Sequence, residues 1–509
     1  MDFELSNEMK MLADMAGKFA SKEVEPVAQK ADEEEMYTPE IRRKAGANGL
    51  IGCWLPEEYG GGGVGFLGNT IITEQISRVC MGIGLNVTAA TFGCENIHFY
   101  GTKEQKEKYL PPVCAGDAVF AGAYTEPNAG TDVAGYKTRA VQDGDDFIIT
   151  GNKMFITNGT ICDWMVVQAI TDPAEKVHKS FSQFIVPADA PGVTRTKIKG
   201  KMGIRASDTA EIALDSVRVP KENMIGKRGA GFYQLMHFFD VTRVMVAGQG
   251  LGLSQACLDE SVKYCKERTV FGKPLGSFQI TLQKLADMWI KIEALRNMTY
   301  KAAWLIDSGK PDYHLSAMAK YFAGQTAVFC ANLAVELHGG YGYIEEYKVQ
   351  KLYRDAKILE LYEGTKEAEI MTLGTLSKWY TNLGSQKIRK RIAKVYGLQA
   401  PLLDSALHNL TLVRNICAHH ARLWDRHLPV SLKQPHAGQT GLPALLLGGD
   451  SQYRVANSLL LLASLTRTID PSVRWGRRLA ELLAKSELPF PRMGIPDRDA
   501  FCRSLETLP

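Results

Sequence analysis

The chain has 509 residues, 45% of them apolar and 23% charged, which is too long for one ordinary hydrophobic core and too apolar for a disordered chain, so a globular protein of two to four domains is expected. Its ten cysteines are scattered singly with no C-x-x-C pair; neither a disulfide framework nor a zinc site is signalled, and no metal is expected. The net charge of +4 joins unlike parts: residues 384–509 carry +9 and the rest −5, and Lys outnumbers Arg 30 to 12 before residue 384 but is outnumbered 5 to 13 after it. A sum of that kind gives no single nucleic-acid or membrane signal.

The N-terminus MDFELSNEMKML is acidic where a signal peptide is basic, and no run reaches the roughly twenty apolar residues that span a bilayer; a cytoplasmic protein without a membrane partner is expected. From Asn7 to about Tyr109 apolar residues recur at three- and four-residue spacing, a helical pattern broken by a loop at Leu55–Tyr59 and Gly60–Gly63. The four glycines lack the Gly-Lys-Ser/Thr of a phosphate loop, which favours a flexible turn. Between about Ala115 and Pro220 short β-branched runs such as DFIITG and DWMVVQAI predict a strand-rich domain, and from Gly231 to about Tyr380 long helical periods return.

Three clusters carry candidate chemistry. The first is Tyr124-Thr125-Glu126-Pro127-Asn128-Ala129-Gly130-Thr131-Asp132, followed by Phe155-Ile156-Thr157-Asn158-Gly159. Hydroxyls, amides and an aromatic ring on loops suit a planar polar heterocycle, though they are also the ordinary residues of turns. The second is Phe239-Asp240-Val241-Thr242-Arg243, then Glu267-Arg268-Thr269-Val270-Phe271-Gly272-Lys273, with Gln279 beyond. Arg243 and Arg268 could grip a phosphate or pyrophosphate, or simply pair at solvated helix ends. The third runs from Glu336-Leu337-His338-Gly339-Gly340 to Leu361-Tyr362-Glu363-Gly364-Thr365. Glu363 stands there in an apolar neighbourhood, where burial would raise its pKa toward what proton abstraction needs; a lone Glu is also a common capping or ion-pairing residue.

In this order the clusters resemble the acyl-CoA dehydrogenase family. T-E-P-N-A-G-T-D, K-M-F-I-T-N-G, K-M-G-I-R-A-S-D-T, E-R-T-V-F-G-K-P-L and L-Y-E-G-T all match its signatures, in register from about residue 2 to residue 376. The resemblance implies an α+β multidomain fold: a helical domain over 1–114, a central β-barrel over 115–225 and a four-helix bundle over 226–376, assembled as a homotetramer or dimer around FAD. It places Tyr124, Thr125, Gly130, Thr131, Phe155 and Thr157 at the flavin, with Thr131 also near the substrate's thioester. Arg268, Phe271, Gln279, Glu336, Gly339 and Gly340 would reach the FAD of a neighbouring subunit, Thr365 and Glu367 its adenosine half, and Asp240, Arg243 and Gly364 the substrate. The family's base lies either in Y-E-G-T or one residue before the Arg of F-D-x-x-R; this chain has Glu363 at the first and Thr242 at the second. The implied reaction removes the α-proton of an acyl-CoA to Glu363 and the β-hydrogen as hydride to the flavin, giving a trans-2-enoyl-CoA, with electrons passed to an electron-transfer flavoprotein. The small, weakly polar run Leu85–Thr91 contains no Arg, which disfavours a dicarboxylate and suits a compact, branched or alicyclic acyl group such as cyclohexane-1-carboxyl.

Residues 377–509 form an added, mainly helical segment. Arg414-Asn415-Ile416-Cys417-Ala418-His419 resembles the R-N-x-x-x-H motif of Abi-like, HEPN-type ribonucleases, of which only the C-terminal part is present. The resemblance implies an alternative activity on RNA, with Arg414 and His419 converging on a phosphodiester; an inactive remnant is expected, and ordinary buried polar networks use the same residues.

Overall fold

Ser6 opens the first helix: its Oγ accepts the Met9 N–H at 3.2 Å, satisfying one of the free donors of a helix start. Seven helices follow in turn, α1 (Asn7–Phe19), α2 (Glu25–Glu33), α3 (Pro39–Ala47), α4 (Gly65–Val79), α5 (Met81–Thr88), α6 (Cys94–Tyr100) and α7 (Lys103–Cys114). The last begins at a reciprocal capping box between Thr102 and Gln105. This computed structural model describes residues 4–364 and, towards the C-terminus, 386–396, 398–418, 428, 432, 446–447, 454–469, 475–486 and 490–507. The chain divides into two compact units, Met1–Glu369 and Ile370–Pro509.

At Phe120 the texture becomes extended. The strands are β1 (Phe120–Ala123), β2 (Arg139–Asp143), β3 (Asp146–Thr157), β4 (Trp164–Ile170), β5 (Phe181–Pro187), β6 (Val193–Lys197), β7 (Thr209–Pro220) and β8 (Met224–Ile225), with the short helix α8 (Val177–Ser180) before β5. They lie in the order β6-β7-β3-β2-β4-β5-β8, with β1 added beside β4. Register shifts between Ile149 and Gly151 and between Lys153 and Ile156 bend β3 against β7. One face packs its own core of Phe147, Ile149, Met165, Val167, Phe184, Ile212 and Val217. The expected closed barrel is corrected here. β6 pairs only with β7, and β8 has just two residues, both paired to β5, so the ends of the sheet do not meet. Closure needs a partner on both sides of every strand.

Beyond the sheet come α9 (Gly231–Glu267), α10 (Gln279–Asp307), α11 (Tyr313–His338) and α12 (Lys348–Ala356); between α9 and α10 lies a small ladder of β9 (Thr269–Val270) and β10 (Lys273–Pro274). Helix α9 packs on α4, α10 and α11. Its Gly248-Gln249-Gly250-Leu251-Gly252 stretch permits this: a Cβ at Gly252 would lie 2.2 Å from Glu74 O on α4, and one at Gly250 2.9 Å from Ala323 Cβ on α11. In the second unit the described elements are helices, α13 (Gln386–Val395), α14 (Ala400–Ala418), α15 (Val455–Ile469), α16 (Trp475–Ala484) and α17 (Arg498–Thr507), plus one 3-10 turn, around a separate core including Leu402, Leu460 and Phe501. Nine cysteines, Cys53, Cys80, Cys94, Cys114, Cys162, Cys257, Cys265, Cys330 and Cys502, are free thiols, all buried except the half-buried Cys502. Among the described residues no helix is long and apolar enough to cross a membrane.

The α9–α4 approach makes Gly252→Ala a direct test of this packing. It is expected to destabilise the first unit by about 1–3 kcal/mol through overpacking, read as a lower denaturant midpoint; an unchanged midpoint would mean the two helices do not meet this closely.

Candidate active site

The loop after β1 is folded by its own sequence. Glu126 and Ala129 exchange backbone hydrogen bonds of 2.9 and 3.1 Å around Pro127-Asn128. The Glu126 carboxylate then accepts from Lys137 N–H at 2.6 Å, Thr138 N–H at 3.0 Å and Lys153 Nζ at 3.0 Å. Lys153 lies in the middle of β3, fully buried, and also donates to Tyr124 O at 3.1 Å and Gln168 O at 2.9 Å. Burial alone would raise the Glu126 pKa, but Lys153, Thr138 and Lys137 outweigh it and hold the carboxyl below its ordinary range. With Met154 N–H on Thr125 O at 2.9 Å, the pair binds the 124–132 loop to the end of β3. Thr125 is thereby joined to the residue before Phe155. Gly130 and Thr131 are exposed on the loop. Phe155 is 65% exposed with φ +58°, and the buried Asn158 beside it, φ +63°, donates Nδ2 to Ala89 O at 2.8 Å.

The Tyr124 ring continues this group onto α9, with centroids 5.0 Å from Phe238 and 6.3 Å from Phe239. One turn beyond Phe238, Thr242 Oγ1 donates to Glu363 Oε2 at 2.7 Å. Arg243 Nε donates to the Glu363 backbone carbonyl at 3.3 Å, while its Nη1 pairs with Asp240 at 3.2 Å. Burial raises the Asp240 pKa to about 6 against the opposing pull of Arg243 and His314. Lys320, buried on α11, donates Nζ to Gly364 O. Glu363 itself has φ +55°, a conformation that costs a non-glycine residue energy and persists only where its surroundings impose it. Desolvation raises its pKa; the Thr242 hydroxyl and the charges of Arg243 and Lys320 pull the other way without prevailing. No ion pair reaches its carboxylate among the described residues.

A second group stands apart. Arg268, Glu336, Gly339 and Gly340 line a cavity of about 460 Å³ together with Tyr264, His338 and Tyr341. The Arg268 guanidinium lies 5.8 Å from the Tyr341 ring centre and Glu336 pairs with Lys284 at 2.5 Å. A Cβ at Gly339 or Gly340 would meet nothing within 4 Å. Phe271, φ +48° and 95% exposed, and Gln279, exposed at the start of α10, do not line the cavity. Arg268 follows the last residue of α9, so at 1.5 Å per residue it lies about 40 Å along the helix from Thr242. One chain therefore does not bring the two groups together. Thr365, Glu367 and His419 lie outside the described residues, and Arg414 lies on α14.

The sequence reading passed over Lys153, Lys320 and Glu95. The first two are lone cations within otherwise apolar elements, a pattern that signals a buried partner. Glu95 lies in α6, 3% exposed, and had no such signature.

Comparison with known proteins places the first unit. Residues 6–117, 121–217 and 229–376 match the N-terminal, middle and C-terminal domains of acyl-CoA dehydrogenase. A short-chain specific acyl-CoA dehydrogenase of Clostridium acetobutylicum is 41% identical over 374 residues, 73% of this chain and 98% of that protein. The solved butyryl-CoA dehydrogenase of Megasphaera elsdenii superposes with a TM-score of 0.72 at 39% identity, over 74% of this chain and 99% of that one. A chain in the structure of the electron transferring flavoprotein of Acidaminococcus fermentans does so with a TM-score of 0.72 at 40% identity, over 76% and 100%. The protein belongs to the acyl-CoA dehydrogenase family. It is an oxidoreductase of a family whose members depend on FAD.

The Lys153–Glu126 pair generates a prediction. Lys153→Met leaves a buried carboxylate unpaired and is expected to cost about 3–5 kcal/mol, with faster hydrogen exchange at the Met154 amide as the loop loosens. Unchanged stability and protection would show that the pair does not hold the loop.

Proposed function

We propose that the first unit dehydrogenates a short, compact acyl-CoA thioester at its α and β carbons, with Glu363 as the base. The observation that carries this reading is the Glu363 carboxylate, bonded by one neutral hydroxyl, free of ion pairs among the described residues and raised in pKa by its surroundings. A carboxylate so placed is more basic than a solvated one, as a group that takes an α-proton must be. Its backbone N–H donates to no described acceptor and is available to the thioester carbonyl, where it would stabilise the developing enolate and acidify the α C–H. Arg243 and Lys320 fix the Glu363–Gly364 backbone from either side, and Asp240 and Arg243 face the substrate.

The residues present fit FAD. Tyr124, Thr125, Gly130, Thr131, Phe155 and Thr157 would hold it against the Glu363 group, and the exposed Phe155 ring offers a face for stacking. Arg268, Glu336, Gly339 and Gly340 would hold it from their cavity, with open space where the glycines lack side chains and an arginine fork for pyrophosphate. The length of α9 supports a reading in which these latter residues, with Phe271 and Gln279, serve the FAD of a second copy, in a homodimer or homotetramer. Thr365 and Glu367 belong to this proposal on the sequence motif alone. When bound, FAD would supply the acceptor for the β-hydrogen, taken as hydride. An electron-transfer flavoprotein is the proposed acceptor, supported by the likeness to a chain in the Acidaminococcus structure. Relatives named for short-chain and butyryl substrates favour a short straight acyl group over a branched or alicyclic one.

Anaerobic addition of butyryl-CoA is expected to bleach the visible flavin band of the wild type, and Glu363→Gln to slow that bleaching about 10²- to 10⁴-fold; equal rates would remove Glu363 from the chemistry. Thr242→Val takes away a hydrogen bond that favours the ionised carboxylate. The Glu363 pKa then rises further, so activity is lost at higher pH as the solution is acidified: the acid limb of kcat/KM moves upward. A limb that stays in place or moves down would show that Thr242 does not act on the base.

A further inference from the structure

Gln249 is a fully buried amide in the middle of α9, inside the Gly248–Gly252 stretch. Its Oε1 accepts the Tyr362 hydroxyl, and its Nε2 has no hydrogen-bond partner among the described residues. A buried amide with one group unpaired costs free energy that an apolar side chain of similar size would not, so packing does not account for it. Its one bond goes to the residue immediately before Glu363. The amide also stands on a backbone with little room to move: a Cβ at Gly248 would lie 3.1 Å from Thr70 and one at Gly250 2.9 Å from Ala323.

Thr242 and Gln249 are seven residues apart, two turns of α9, so they share one face about 10 Å apart along the axis. Thr242 holds the Glu363 carboxylate at 2.7 Å and Gln249 holds the Tyr362 ring by its hydroxyl. The side chains of two adjacent residues thus run in opposite directions along one helix face, and the peptide between them is held from both ends. Backbone bonds complete the support: Tyr362 N–H on Ile358 O at 3.1 Å, with Arg243 and Lys320 on the carbonyls of Glu363 and Gly364. Glu363 at φ +55° depends on such neighbours. Burial, with the charge of Glu363 adding to it, pushes the Tyr362 hydroxyl pKa up, so it stays a donor wherever the carboxylate titrates.

We propose that Gln249 is a positioning residue for the base: by anchoring the Tyr362 hydroxyl it holds the Tyr362–Glu363 peptide in the conformation that brings the carboxylate to Thr242. The proposal rests on the reading of Glu363 as the base.

Gln249→Met fills the site without an acceptor and Tyr362→Phe removes the donor, so the two delete one bond from its two ends. In the FAD-loaded full chain each is expected to slow bleaching by butyryl-CoA about 2- to 10-fold, with the dissociation constant of butyryl-CoA unchanged. The double variant is expected to be no slower than the slower single one. A displaced carboxylate loses the Thr242 bond that favours its ionised form, so the acid limb of kcat/KM moves to higher pH in all three, and their crystal structures show Glu363 out of hydrogen-bond reach of Thr242. Among the described residues the charged and titratable groups that interact with Glu363 are Arg243 on α9, Lys320 on α11, Glu95 on α6, and Tyr124, Tyr136 and Tyr362. All but Tyr362 remain in every variant, and Tyr362 remains in Gln249→Met, so a shared shift traces to the bond. Wild-type rates, or slower rates with an unmoved acid limb, overturn the proposal. So does a changed preference between butyryl- and hexanoyl-CoA in Gln249→Met that Tyr362→Phe does not share, which would place the amide against the acyl chain instead. Tyr362→Phe carries the test if Gln249→Met does not fold. Bleaching that survives in Glu363→Gln defeats the base; bleaching lost there but unchanged in Gln249→Met and Tyr362→Phe defeats this proposal alone.

Discussion

The active-site half of the first unit depends on one buried ion pair. Lys153 can sit in the interior of β3 only because Glu126 and two carbonyls receive its three protons, and Glu126 can be charged there only because Lys153 and two backbone amides surround it. Replacing such a pair with apolar residues often costs nothing in stability. Its contribution here is position: it ties a turn whose sequence would suit many conformations to one strand end, and from there Tyr124 reaches α9.

Helix α9 is the second constraint. Its glycines let α4 and α11 come close enough to fix its axis, and its N-terminal turns then carry Phe238, Asp240, Thr242 and Arg243 to the Glu363 segment. Three of the seven non-glycine residues with positive φ among those described, Phe155, Phe271 and Glu363, are candidate site residues. Strain concentrated there is what a scaffold produces when it aims side chains at a ligand instead of at its own core.

Much of this was legible in the sequence. The helix–strand–helix order follows from a change of hydrophobic period, and the turn signatures located the 124–132 loop, because Pro, Asn and Gly constrain the backbone locally; the 155–159 segment, read as a loop, instead begins with the last three residues of β3. Sheet closure was not legible: whether β6 meets β8 depends on non-local pairing, and a two-residue strand leaves almost no periodic trace. The burial of Lys153 and Glu95 escaped for a similar reason. A charged residue reads as exposed until its partner is known, and the partners stand 27 residues away for Lys153, in Glu126, and on the backbone of a glycine at positive φ for Glu95. The separation of Arg268 from Thr242 follows from the length of α9.

That separation has a consequence for inheritance and engineering. If each chain supplies the base for one site and the cofactor clamp for its neighbour's, the two kinds of damage are carried on different halves of every site. A dimer built from one chain broken at Glu363 and one broken at Arg268 gathers both faults into a single site and leaves the other whole. Two defective copies would then complement each other, as two identical defects never could.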